Sequence, residues 1–214
     1  MTTVGIVGWG LTGFVLASVL RVAVERSSIL PAETGRLAPP GLLEAATAAL
    51  FAGLAWRIGA EPDLFAYSWL AAAGVRLAAI DWKLRALPTR LIWPTGIFLI
   101  ALFGMAAVVH HDAYPLVRAA AGMLALLTFY GALYFLRPGG LGGGDLRLGG
   151  VLGLALGWTG WTSVLAGTVL GWLTAALALL VLRFVRRAGA TRDIPLGPFL
   201  IAGGLAAVLV SSVT

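Results

Sequence analysis

Polar and Gly/Pro clusters divide the chain into eight apolar runs, at roughly 3–24, 41–59, 64–80, 93–109, 115–136, 148–160, 162–183 and 195–212. A helix that crosses a bilayer needs about 20 apolar residues. The runs therefore predict an all-α, polytopic integral membrane protein of about eight transmembrane helices, built as a single membrane-embedded domain over residues 1–214. Composition points the same way. Hydrophobic residues make up 60% and charged residues 11%, and the mean hydropathy is +0.96. Soluble domains carry about 25% charged residues, and disorder needs low hydrophobicity with high charge. The chain has no cysteine, which excludes disulfides, cysteine zinc sites and cysteine nucleophiles within it. The first run lacks a basic leader and is too long for a cleavable signal peptide. The stretch 148–183 is too long for one span. Its natural turn is Trp158-Thr159-Gly160-Trp161, with aromatics at interface height. The sixth helix is then short, or begins inside the glycine-rich loop before it.

The formal charge of +6 resembles a nucleic-acid signal until the charges are placed. Odd-numbered loops hold Arg21, Arg26, Arg36, Lys83, Arg85, Arg90, Arg137, Arg147, Arg183, Arg186, Arg187 and Arg192. Even-numbered loops hold only Arg57 and, just inside a helix, Arg118, while Arg76 lies within the third span. Basic residues mark cytoplasmic loops. The odd loops are expected in the cytoplasm and both termini outside. The charge is then a topology signal, and no nucleic-acid partner is expected.

Nine acidic residues remain. Most read as solvated loop charges. Asp81, which closes the third span, and Asp145, which opens the sixth, sit at the same membrane boundary. Asp81 alone reads as a helix-end charge in the headgroup layer, and Asp145 alone as a first-turn acid favoured by the helix dipole. If their helices pack together the two carboxylates meet. A close pair shares one proton, leaving one base to activate water and one acid to protonate a carbonyl or leaving amine. Five of the six residues before Asp145 are glycine. Glycine permits unusual backbone angles and close approach of another chain. A loop at membrane depth needs protein or water around it, and a substrate strand pairs readily with such an edge. A phosphate cradle is disfavoured, because no Gly-Lys-Ser/Thr follows and Asp145 would repel phosphate.

At these residues the chain resembles the type IV prepilin peptidases. Gly142-Gly143-Gly144-Asp145 matches their Gly-x-Gly-Asp motif, with Arg147 where Lys is usual. Asp81 with Leu87-Pro88 resembles their other aspartate motif, although Thr89 stands where the family has Asn. Gly13-Phe14 through Arg21 resembles the family's first helix. Arg36 through Gly59, with Pro39, Glu44, Trp56 and Arg57, resembles its second-helix region. Asp193-Ile194-Pro195-Leu196-Gly197-Pro198-Phe199 resembles the motif that opens its last helix.

The resemblance implies a membrane aspartic endopeptidase, with Asp81 and Asp145 catalytic. Its substrates would be prepilins or pseudopilins with a basic leader and a hydrophobic helix, cut at the cytoplasmic face of a bacterial inner membrane. Gly142, Gly143, Gly144, Arg147, Lys83 and Pro88 would shape the loops around the pair, and Glu44 would help orient the leader. Larger family members carry a cysteine zinc module in the first cytoplasmic loop and methylate the product. Here that loop is only about 25–40 and the chain has no cysteine. No metal, no cofactor and no methyltransferase activity are expected. The rivals are a small ion- or proton-coupled transporter and a degenerate homologue that binds prepilin without cutting.

Weaker signals have simpler explanations. Arg76 either pairs with an aspartate or snorkels to the interface, and snorkelling is favoured. Lys83 and Arg85 either ease ionisation of Asp81 or anchor the loop at anionic headgroups. His110-His111-Asp112 reads as a solvated loop rather than a metal site. The eight tryptophans read mostly as interface anchors. Gly153, Gly157, Gly167 and Gly171 suggest close packing of the sixth helix on the seventh.

Overall fold

The computed structural model describes residues 1–26, 37–136, 140–185 and 194–211. Among these the chain forms eight helices and no strand: α1 (Thr3–Arg26), α2 (Leu42–Ile58), α3 (Asp63–Leu84), α4 (Thr89–His110), α5 (Tyr114–Leu136), α6 (Gly143–Thr159), α7 (Trp161–Val185) and α8 (Gly197–Val210). Five of them, α1, α3, α4, α5 and α7, are long and apolar enough to cross a membrane. The expected runs match these helices closely. The turn between α6 and α7 is at Gly160, whose φ of 153° suits glycine. The sixth helix does begin inside the glycine cluster, so Asp145 lies in its first turn.

The molecule is apolar outside and polar within. Val4, Val7 and Leu11 of α1, Ile97 and Phe98 of α4, and Leu165, Leu173 and Leu177 of α7 are all exposed. Glu44, Asp63, Ser68, Arg76, Asp81 and Thr95 are buried. Water would penalise that exterior, whereas lipid solvates it. This is a polytopic membrane protein.

Neighbouring helices alternate in direction. Gly13 of α1 lies against Phe51 of α2. Tyr67 of α3 stacks edge-on to Phe103 of α4, and Gly74 of α3 meets Ile201 of α8. As a result the ends of α1, α3, α5 and α7 and the starts of α2, α4, α6 and α8 gather in one layer. α3 packs on α2, α4 and α8, while α6 packs on α5, α4 and α8. α3 and α6 are thus both flanked by α4 and by α8.

The glycine faces pair differently from expectation. A Cβ at Gly153 or Gly157 would run into α5 at Gly122, Ala119 or the Arg118 carbonyl. Gly171 meets Leu200 of α8, and Gly167 meets both Leu156 and Gly204. Small faces do allow close backbones, but they join α5 to α6 and α7 to α8. The facing positions on α5 (Ala119, Gly122) and α8 (Gly203, Gly204) are small too, so those pairs approach closely.

Four tryptophans also depart from the anchor role. Trp9, Trp69, Trp158 and Trp172 donate their indole N–H to Ser68, the Thr95 carbonyl, Asp63 and Tyr130, respectively. An indole N–H away from water needs an acceptor, and these four, of which only Trp158 is fully buried, find one on a neighbouring helix.

Candidate active site

Asp81 occupies the last turn of α3, where its own helix dipole opposes a negative charge. It is only 5% exposed, so it is not the headgroup-layer charge its position alone suggested. What holds it is α8. The backbone N–H of Gly197, the first residue of α8, donates to Asp81 Oδ2 at 3.0 Å. A carboxylate at a helix N-terminus satisfies a free N–H and sits at the positive end of the dipole. Gly197 also leaves room, since a Cβ there would lie 2.6 Å from Asp81 Oδ2 and 3.1 Å from Leu87 Cδ1.

After Asp81 the chain turns sharply. Arg85 takes a left-handed conformation and returns its N–H to the Asp81 carbonyl at 2.8 Å, a common helix stop. Pro88 then precedes α4 in an extended conformation. This brings Leu87 against the start of α6. A Cβ on Gly144 would sit 2.6 Å from Leu87 Cβ and 3.1 Å from its carbonyl oxygen. No glycine from Gly140 to Gly144 has a left-handed φ, and Gly142 is ordinary extended backbone at φ −73°. Unusual angles therefore do not explain the cluster. At Gly144 close approach does, and the approaching backbone is the chain's own at Leu87.

Asp145 stands one residue beyond that contact. Its N–H donates to the Gly142 carbonyl at 3.0 Å. Its Oδ1 is buried and has no hydrogen-bond partner within the described protein. Asp81 lies within Coulombic reach of the Asp145 carboxyl. Leu87 and Gly197 thus connect the two aspartates, and three sequence motifs far apart in the chain converge on one point. Asp193, at the start of the third motif, lies outside the described residues.

The other expected residues fall around or away from the pair. Arg147 is exposed and donates to the Gly143 carbonyl at 3.0 Å. Lys83 is exposed and Pro88 half-buried. Glu44 lies elsewhere, 3% exposed, with Arg21 at 3.2 Å and Arg76 at 3.9 Å. Arg76 therefore neither pairs with an aspartate nor snorkels. It is buried and donates to the Ala17 carbonyl.

Asp63 and His110 also differ from the solvated loop charges expected of them. Asp63 is buried, accepts the Trp158 indole at 3.0 Å and faces His110 Nε2 at 3.2 Å. This cluster ties α3, α4 and α6 at the end away from Asp81. Each helix carries its polar residue within a turn of the same terminus, so the groups satisfy one another. Arg118 caps the end of α6 through the carbonyls of Gly157, Trp158 and Thr159.

Tyr130 is a neighbour that motif reading missed. It is buried on α5 against Gly149 of α6, one turn beyond Asp145. Its ring stacks on Trp172 and its hydroxyl accepts the Trp172 N–H at 3.3 Å. Asp145 acts on it electrostatically. A hydroxyl in the middle of an apolar run was the available signal.

A sequence model of the type IV leader peptidase family matches residues 64–184, a stretch that includes both aspartates. A prepilin leader peptidase/N-methyltransferase of Bacillus subtilis (strain 168) is 30% identical over 170 residues, 78% of this chain and 64% of the relative. One from Burkholderia pseudomallei (strain 1026b) is 32% identical over 169 residues, 77% of this chain and 52% of the relative. One from Pseudomonas putida is 31% identical over 170 residues, 78% of this chain and 57% of the relative. The match thus spans between half and two thirds of these relatives' length. No solved structure matches. The family model covers more than half of the chain, and the chain belongs to the type IV leader peptidase family.

Proposed function

We infer that the protein is a membrane aspartic endopeptidase that removes the basic leader of prepilin-like substrates. The observation that supports this is that Asp81 and Asp145 lie within Coulombic reach of each other at one end of the bundle, with Asp145 Oδ1 unpartnered. Two like charges in a poorly solvated site favour a singly protonated pair. The ionised member takes a proton from water, the water oxygen attacks the scissile carbonyl, and the protonated member gives its proton to the carbonyl oxygen; on collapse of the tetrahedral intermediate the first member passes the water proton to the leaving amine and a hydroxyl of the intermediate returns a proton to the second. No covalent intermediate forms. Gly142, Gly143 and Gly144 shape the approach to the pair together with Pro88, and Arg147 and Lys83 flank it. Glu44 is enclosed by two arginines, so its influence on a leader passes through them.

The aspartate end carries Arg21, Arg26, Lys83, Arg85, Arg90, Arg147 and Arg183 among the described residues. By the positive-inside rule this end faces the cytoplasm and both termini lie outside. Arg36, Arg137, Arg186, Arg187 and Arg192 add to the same loops but lie outside the described residues. Absence of cysteine from the chain supports proteolysis without methyl transfer, which labelled S-adenosylmethionine tests directly.

The deciding experiment is cleavage of a co-expressed prepilin by wild type, Asp81→Asn and Asp145→Asn, each at normal membrane level. Loss in both variants supports the pair as the machinery. Cleavage surviving in either variant overturns it. Failure of wild type on a panel of prepilins favours a non-cutting homologue or a transporter.

A further inference from the structure

A polar feature the site does not use lies on another side of α3. Arg76 and Asp81 are five residues apart, which separates them by about 140° around the helix. A cavity of about 320 Å³ opens there among Arg21 and Glu25 of α1, Pro39 and Glu44 near the start of α2, and Arg76 of α3. Two guanidinium groups face one buried carboxylate: Glu44 pairs with Arg21 at 3.2 Å and with Arg76 at 3.9 Å. Glu25 is exposed at the rim, where water screens it. Arg76 is only 5% exposed and its Nε has no hydrogen-bond partner. Glu44 and Glu25 thus equal Arg21 and Arg76 in number, and Arg26 beside them adds a third cation; a buried guanidinium nitrogen without a partner is costly.

A second observation adjoins the first. A shallow, wide-open groove lined only by α1 residues runs past Phe14, Val15, Val19 and Val22, and shares Arg21 and Val22 with the polar cavity. Arg26 stands at its mouth. From Phe14 to Val22 the groove is about 12 Å long, close to the depth of one leaflet's hydrocarbon. Its walls are apolar and exposed to lipid. Polar cavity and apolar groove therefore meet at Arg21, with the cations at the end of the bundle where the basic loops lie.

We propose that this composite feature is a binding site for an anionic glycerophospholipid. The headgroup phosphodiester sits at Arg21, Arg26 and Arg76, and one acyl chain lies in the α1 groove. Basic pockets between membrane helices suit anionic headgroups, and guanidinium groups suit phosphate oxygens. Glu44 competes with the phosphodiester for Arg21 and Arg76 and offsets part of their charge. The site stands on the membrane character of the protein and is independent of the peptidase reading.

The test compares lipid retention by the full-length protein through detergent exchange, read by native mass spectrometry. Phosphatidylglycerol, phosphatidylcholine and inorganic phosphate are the three probes. The expected result is preferential retention of phosphatidylglycerol over phosphatidylcholine. Arg21→Gln lowers that ratio roughly fivefold, the loss expected for one surface cation. Glu44→Gln raises it, because a competing anion is gone. Val15→Trp, which fills the groove from a lipid-facing position, lowers retention of both lipids but leaves phosphate unaffected. A ratio, unlike a yield, is not moved by general destabilisation. Equal retention of the two lipids, or an unchanged ratio in Arg21→Gln, overturns the proposal. Binding of inorganic phosphate as tight as that of phosphatidylglycerol overturns the lipid assignment.

Discussion

The backbone N–H of Gly197 donates to the carboxylate of Asp81 at 3.0 Å, joining the last turn of α3 to the first turn of α8. One carboxylate oxygen thereby serves as the cap of a helix more than a hundred residues away in the chain. The arrangement gives Asp81 a fixed orientation in a site where water does not supply one.

This contact makes Gly197 sensitive. Gly197→Ala places a methyl 2.6 Å from Asp81 Oδ2, and either α8 or the carboxylate must move. Overpacking of this kind costs about 1–3 kcal/mol. The variant is expected to reach the membrane and to lose at least roughly tenfold in prepilin cleavage, because misplacing a reacting group is more damaging than the stability loss itself. Cleavage normalised to protein level measures it.

Glycines in the Gly-x-Gly-Asp run differ from one another. Gly144→Ala puts a Cβ 2.6 Å from Leu87 Cβ, against a segment tied down by the turn at Arg85. Gly143→Ala meets only the end of the Arg147 side chain, at 3.5 Å, which is free to swing away. Cleavage should fall sharply in the first variant and by roughly threefold or less in the second, the range of an ordinary surface change. Equal loss in both would show that the run acts through backbone freedom instead of space.

Cleavage should depend on pH in both directions. Below the lower of the pair's two titrations no base remains, and above the upper one no acid remains. A bell-shaped profile of kcat/KM is expected for wild type. A profile flat across the acid and alkaline limbs would remove the two-carboxylate mechanism.

Asp63 provides a control at the far end of the bundle. Asp63→Ala leaves the indole of Trp158 and the ring of His110 without their shared acceptor. An unpaired buried donor costs about 1–3 kcal/mol. Thermal stability should fall, while kcat of the surviving folded fraction stays near wild type.

Much of the architecture was legible because it follows from local properties. Runs of apolar residues broken by Pro88, Gly160 or Pro195 mark helices and turns without reference to any neighbour. The distribution of arginines orders the loops. Both aspartate motifs stood out as acids at span ends. The partners of Gly153 and Gly171, the enclosure of Arg76 and Glu44, and the Asp63–Trp158 bond were not legible. In water a helix announces its buried face by one apolar stripe. Here α2, α6 and α8 carry apolar residues on every face, so their sequences do not say which face meets which helix.

By itself, the sequence determined how many helices form, where they turn and which end collects the basic residues, since continuous apolarity and Gly/Pro breaks act within a few residues. Only the tertiary structure decided that Leu87, Gly144, Asp145 and Gly197 converge on Asp81, and that two arginines close around Glu44. Association of helices in lipid depends on space between small residues and on polar groups finding one another, and those conditions exist only once all the helices are in place.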